Sequence, residues 1–498
     1  MDNSFNLIDE AWIPVADFGL VSLRQIFSNP EYRSLGGNPV QKVAVLKLLL
    51  AIAQSAVTPA DESELADIGA SGLAESCLNY LEHWRERFYL YGDQPFLQMP
   101  EIKEAKIQSF GAVLPDISTG NTTVLNQMQA QRPVDSAGKA LLLLTLMGFA
   151  LSGKKTDNSV VLSPDYAGKS NDKGKPSTGK AGPSVGHMGF LHSFLMGPDI
   201  QSTVLLNLFP RSQIDRMNIY PEGIGVAPWE QMPQNEDCEK AQRLKASLMG
   251  RLIPVSRFCL LTDDGLHYSE GLAHLGYKEG VTDPSVAVNT SGKEPKALWT
   301  NPEKRPWREL TALLSFVSQS GANGFQSWQI RTGLDRARDS TDSFAIWSGG
   351  LRVSSNAGEQ YASGSDDYVE SEIWLQSDLL GESWFVQLKT EMDSLDTIAK
   401  SLYGRVLAFH KEQSADGSQS APRATQVFWQ LCERDFQSLI DHCDQAEESL
   451  GKRQALRYRF AAYAHEAYDT FCSRHTARQL DAWAKCRPNF TNYIYQED

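Results

Sequence analysis

From about Leu379 to the C-terminus the apolar residues recur at helical spacing with no strand-like run between them, and this change of pattern constrains the fold more than any other feature. Four helices are predicted, over 383–411, 423–444, 452–473 and 476–486. In the second, Val427, Phe428, Leu431, Phe436, Leu439 and Ile440 fall on one face, the spacing of a helix with one buried side. The stretch DGSQSAP at 416–422 separates the first two, and short links such as 448–451 separate the others. Links this short make neighbours antiparallel, so an up-down four-helix bundle is predicted.

The residues before it read differently. Short β-type runs at 5–8, 12–15, 88–90, 257–261, 343–347 and 373–375 alternate with helical stretches at 40–57 and 134–151. The second of these opens on the N-cap candidates Asp135 and Ser136. There is no regular strand–helix–strand alternation, so the fold class is α+β without a doubly wound sheet. The chain has 498 residues, more than the ~250–300 over which a single core grows. The expected division is a large mixed domain with long loops, 1–378, followed by the bundle, 379–498. Three loops stand out: 153–189, rich in Gly, Ser, Lys and Pro; 283–305; and the stretch after Gly349-Gly350. Loops of this length in a compact domain are functional or disordered.

The longest strongly apolar run, 140–151, is shorter than the ~20 residues of a membrane-spanning helix. The first residues, with Asp2, Asp9 and Glu10, do not read as a signal peptide, and the expected location is the cytoplasm. Seven cysteines without a C-x-x-C pair fit buried thiols better than a disulfide framework or a zinc ribbon. A net charge of −14 argues against a protein that coats DNA by bulk electrostatics, though not against one that touches it with a small patch.

Two motifs come close to catalytic signatures. Gly174 to Ala181 nearly spells a P-loop, with Gly179 and Lys180 in place, but Ala181 cannot supply the hydroxyl that holds magnesium. Gly182-Pro-Ser184-Val-Gly186 matches a nucleophile elbow, but a lysine-glycine loop precedes it where a strand is needed. A P-loop or serine hydrolase using this region is thus the enzymatic alternative, and no enzyme activity is expected. His187 and His192 are five apart, and the His442-Cys443 and Cys472/His475 pairs lie in helical sequence, so neither a metal nor a cofactor is expected. Two segments depart locally from the acidic background. Between 153 and 180 six lysines face three aspartates, and between 293 and 308 Lys293, Lys296, Lys304, Arg305 and Arg308 face two glutamates, with Trp299 and Trp307 interleaved. They are either solvated loops or phosphate contacts that position a nucleic acid.

Four segments, in order, resemble one known family. They are Asn6-Leu-Ile-Asp-x-x-Trp-Ile-Pro-Val15, then Phe88-Tyr-Leu-x-x-x-x-Pro-Phe96-x-Gln98, then Ser202-Thr-Val-Leu-Leu-Asn207 after a Gly-rich loop, and Gly349-Gly350-x-Arg352. Together with the length and the terminal helices they make the chain similar to the CasA family, the large subunits of type I-E CRISPR Cascade complexes. The resemblance implies a non-catalytic subunit that reads the protospacer-adjacent motif (PAM) of duplex DNA, wedges the strands apart for R-loop formation and helps seat a helicase-nuclease, while guide pairing reads the remaining sequence. The implied partners are the other Cascade subunits, the guide RNA, double-stranded target DNA and the helicase-nuclease, with no membrane. A purely structural scaffold is the non-enzymatic alternative.

The same resemblance assigns candidate residues. Asn121, Asn126 and Gln127 fall in the loop that meets the 5′ handle of the guide. Gly179, Lys180 and Gly182 fall in the glycine loop near the PAM. Arg352, Ser354, Asn356, Ala357 and Gln360 match the minor-groove and wedge elements, with Lys293, Lys296 and Lys304 expected on phosphates. The region 129–139 carries no cysteine, so the zinc site of some relatives is not expected here.

Overall fold

The structure, a computed structural model, describes residues 4–114, 134–151, 156–157, 160, 162, 188–317, 324–356, 359–361 and 367–496; for 355–356 and 359–361 the backbone alone is described. The chain divides into two compact units, Met1–Pro306 with Asn323–Glu372, and Trp307–Ala322 with Ile373–Asp498. The fold is mixed helix and strand, with small sheets and a helical C-terminal region.

In the first unit the N-terminal landmarks pair with one another. Ser4–Asn6 lies antiparallel to Tyr89–Tyr91, in register Ser4↔Tyr91 and Asn6↔Tyr89. Asn6 closes the turn that follows, accepting from Ile8 N at 3.0 Å and donating to the Arg85 carbonyl at 3.2 Å. The Phe88 and Phe96 rings stack at 5.0 Å, and Gln98 bridges two strands by donating to Leu90 O and accepting from Leu261 N. A second sheet runs Ile107–Ser109, Gly265–Glu270, Arg257–Leu261; a third has Ser343–Leu351 in the middle, His192–Met196 antiparallel on one side and Tyr368–Gln376 on the other. The Asn207 side chain ties the helix Ile200–Asn207 to the edge strand, accepting from Leu195 N and donating to Leu195 O.

The core sits around the helix Pro39–Ala56. Asn38 and Gln41 form a reciprocal capping box at its start, and Pro39 occupies the first helical position, where no hydrogen bond is lost. This helix is long and apolar enough to span a membrane by length and composition, but most of it is buried inside the unit. A helix apolar on all sides is also what a central core position demands. The second sequence-predicted helix is present as Ser136–Gly148, with Asp135 accepting from Gly138 N at 2.8 Å.

The helical unit contains Glu382–Glu412, Ser420–Ile440, Glu447–Phe471 and Ala477–Cys486. Two predicted boundaries are corrected. The link expected at 448–451 lies inside the third helix, and the second begins at Ser420, taking Pro422 into its first turn. A proline there loses no helical bond, and a glycine within a helix costs only ~1 kcal/mol against alanine, so tertiary packing overrides both signals. The apolar face foreseen for the second helix is buried at Phe428, Leu431, Phe436, Leu439 and Ile440. Trp307 joins this unit from far upstream in sequence, its ring 4.3 Å from Phe436, and Arg308 lies over the Trp429 ring at 3.8 Å while pairing with Asp396 at 3.5 Å. Arg457 is buried against Glu391, its Nε 3.1 Å from Oε1.

Candidate nucleic-acid interface

Two stretches read from sequence as loops carry strands instead. Val288–Asn289 and Lys296–Ala297 form an antiparallel pair, in register Lys296↔Asn289 and Ala297↔Val288. Ser354–Asn356 and Glu359–Tyr361 form another, Ser354↔Tyr361, Ser355↔Gln360 and Asn356↔Glu359, which leaves Ala357 and Gly358 to connect them. Polar sequence hides a hairpin when its strands are only two or three residues long, because alternation needs four or more to register.

Both hairpins are tied to one place. The segment leaving the Gly-rich stretch, Met188–Leu191, runs beside 298–300. Leu191 N donates to Leu298 O, Thr300 N donates to Gly189 O and the Thr300 hydroxyl donates to Phe190 O at 2.9–3.0 Å. The glycines that precede Arg352 make this approach possible. A Cβ on Gly350 would sit 2.6 Å from Phe190 O and against the Thr300 hydroxyl, and one on Gly349 would sit 2.7 Å from the Trp347 ring. Gly189, at φ +86°, lies under the Trp299 ring and against Val353. Beneath the basic hairpin is a small core of its own, Phe190, Val286, Val288 and Ala297, with Tyr277 packed on it. The ends of three sequence-predicted segments, the Gly-rich loop, the basic stretch and the post-Arg352 stretch, therefore converge in the first unit.

The foundation of this site is buried and charged. Lys47, in the middle of the Pro39–Ala56 helix, places its ammonium 2.8 and 3.0 Å from the Asp283 carboxylate and 3.1 Å from Arg251 O. Burial pulls the Lys47 pKa down, and Asp283 opposes that fall. Asp283 also accepts from Ser285 N and its hydroxyl, and Ser285 Oγ lies 2.9 Å from His192 Nδ1. A carboxylate that accepts several hydrogen bonds and an ion pair fixes the start of the 283–305 segment to the core. Sequence reading gave Lys47 and Asp283 no role and weighed His192 only as a metal ligand. A lysine inside an otherwise apolar helix was the available signal, since an interior ammonium needs a buried partner.

The individual candidates fall as follows. Lys293 and Lys296 are exposed on the basic hairpin, and Lys304 is half-buried, its backbone N donating to Asn301 O across a turn. Arg352 donates its backbone N to Asp367 O at 2.9 Å, with its guanidinium 3.9 Å from that carboxylate. Ser354, Asn356 and Gln360 are hairpin strand positions. Gly179, Lys180, Gly182, Ala357, Asn121, Asn126 and Gln127 lie outside the described residues, as do the near P-loop and Ser184. Of the basic segment's two tryptophans, Trp299 is exposed, whereas Trp307 is buried in the helical unit. Among the described residues no three His, Cys, Asp or Glu side chains gather as a metal site. Burial pushes the Cys259 thiol up to about 12, keeping it neutral.

Comparison with known proteins gives this architecture its relatives. CasA/Cse1 of Thermus thermophilus is 27% identical over 333 residues, 62% of this chain, and the match spans 60% of that relative's length. Thermobifida fusca Cse1 superposes with a TM-score of 0.76 at 18% identity, covering 99% of this chain and 98% of that one. A structure described as a "CRISPR RNA-guided surveillance complex" superposes with a TM-score of 0.67 at 15% identity, covering 97% and 99%. At these identities the superpositions establish a common fold. The family model for CRISPR-associated protein Cse1 runs from residue 6 to residue 467, across both units and all four sequence landmarks, and the chain accordingly belongs to the CRISPR-associated Cse1 (CasA) family.

Proposed function

We propose that the chain is the large subunit of a type I-E RNA-guided surveillance complex, that it reads the PAM in duplex DNA, helps part the strands beside it and recruits the helicase-nuclease. The observation that carries the reading is the convergence just described: Met188–Leu191, which leaves the Gly-rich stretch, Gly350 and Val353, which lead into the amide-bearing hairpin, and residues 298–300, which follow the lysine-bearing one, meet beside one small core. A two-stranded hairpin bearing Asn356 and Gln360 suits the minor groove, about 6 Å wide, which offers a degenerate set of donors and acceptors. Lys293 and Lys296 suit phosphates, which hold a duplex without reading it. The helical unit serves as the docking module for neighbouring subunits.

The test is binding of the assembled complex to a panel of PAM variants. Asn356→Ala or Gln360→Ala should cost about 1–3 kcal/mol on the correct PAM and narrow its advantage over wrong ones. The double change Lys293→Ala with Lys296→Ala should weaken all targets alike and flatten the salt dependence. Binding indifferent to the PAM would favour a structural scaffold, and an unchanged PAM ranking in the hairpin variants would remove the hairpin as reader.

A further inference from the structure

We propose that Trp299 is a stacking platform for one unpaired nucleobase of the target DNA. The inference rests on the reading of this face as the DNA-facing one and adds to it a receptor for a base that has left the duplex.

Among the described residues of the converging segments Trp299 is the exposed aromatic, with 52% of its surface open. An exposed indole on a mobile stretch would mean little, but this one is held. Its ring centroid lies 4.3 Å from that of buried Phe190, tilted by 37°, and Phe190 is braced by Tyr277 at 5.6 Å, edge to face. Its Cε3 and Cζ3 lie 3.3–3.4 Å from where a Gly189 Cβ would be, so a side chain at 189 would press on the ring. The residues on either side are locked, Leu298 O and Thr300 N being bonded to Leu191 and Gly189. The indole therefore offers a face whose orientation is settled before anything binds.

What fits that face follows from its size and charge. Leu298 and Thr300 are buried, so the strand's apolar offering is one indole wide, the area of a single base rather than of a protein interface. Lys296, three residues earlier, and Lys293 are exposed, and the 43%-exposed side chain of Arg352 belongs to the neighbouring segment, in a chain whose net charge is −14. Aromatic faces flanked by cations are how proteins hold single-stranded nucleic acid, because every base has a π-face and stacking is tolerant of sequence. A base inside a duplex has both faces covered, so the platform engages only DNA whose strands have parted.

The experiment compares the assembled complex on two targets with the same PAM: one with a mismatched bubble beside the PAM, one held closed by an interstrand cross-link. Trp299→Ala and Trp299→Leu should weaken binding to the bubble about tenfold and change binding to the closed target less than twofold. Trp299→Phe should stay within about threefold of the native complex on both. Leucine keeps an apolar side chain against Phe190 and Gly189 without a π-face, so it separates stacking from local packing. With 5-iodouracil at the unpaired positions, irradiation should cross-link residue 299. Equal losses on both targets, no loss on either, or full binding by the leucine variant would overturn the proposal. Whether the native complex ranks correct above wrong PAMs in the same panel reports separately on the parent reading.

Discussion

Removing the Asp283 carboxylate should unsettle the first unit more than any surface change. Lys47 and Asp283 are 5% and 6% exposed and their charges are 2.8 Å apart. At an effective dielectric of about 20 such a pair attracts by roughly 5–6 kcal/mol, which offsets a desolvation cost of several kcal/mol per ion. The pair therefore adds little over a well-packed apolar pair, but breaking it is expensive. Asp283→Ala leaves the ammonium with the Arg251 carbonyl and takes an acceptor from Ser285. The expected loss is about 3–5 kcal/mol. Lys47→Met should cost a similar amount by stranding the carboxylate, whereas Lys47→Met with Asp283→Leu should recover much of it. Burial already holds the Lys47 pKa below 10.5 against the pull of Asp283, so without Asp283 it falls further. Between that lowered value and the unfolded value the unfolded chain binds the extra proton, and stability of Asp283→Ala should rise with pH across that window. Because the chain has two units, the measurement is amide exchange of the Pro39–Ala56 helix in urea rather than a single global transition. Losses of Lys47→Met and of Asp283→Leu that simply add in the double variant, to within about 0.5 kcal/mol, would refute the coupling.

Three further outcomes are expected. Trp307→Ala should cost the helical unit about 3–5 kcal/mol by emptying its place beside Phe436, seen as lost exchange protection in Ser420–Ile440 while Pro39–Ala56 keeps its own. Gly350→Ala should cost about 1–3 kcal/mol, because the Phe190 carbonyl 2.6 Å from the added methyl belongs to backbone; a variant that melts like the native chain would show that the segment shifts freely. For Asp9, partial burial tends to raise the carboxyl pKa, but hydrogen bonds from Arg24 and Arg85 outweigh it and hold the value below 3.8. Its contribution is present above that value and lost as the pH falls through the folded one, so Asp9→Asn should lower the melting temperature at pH 7 and the gap should narrow as the pH falls below 3.8.

The helical C-terminal unit was legible without a structure because helix periodicity is local: residues three and four apart meet whatever the rest of the chain does. Family membership was legible too, since Asn6, Gln98, Asn207 and the Gly349-Gly350 pair bridge or clear backbone at set places, and jobs so specific leave recognisable spacings. Lys47 and Asp283 are 236 residues apart and Trp307 and Phe436 are 129 apart, so only the tertiary fold could pair them. The same holds for the two hairpins, whose strands are too short for alternation to register. Local sequence sets which face of a helix is apolar. Which tryptophan of the basic segment is buried and which is left open to solvent depends on which distant backbone comes close enough to cover it: Trp307 gains Phe436 and Trp429, while Trp299 rests on Phe190 and Gly189 with its outer face uncovered.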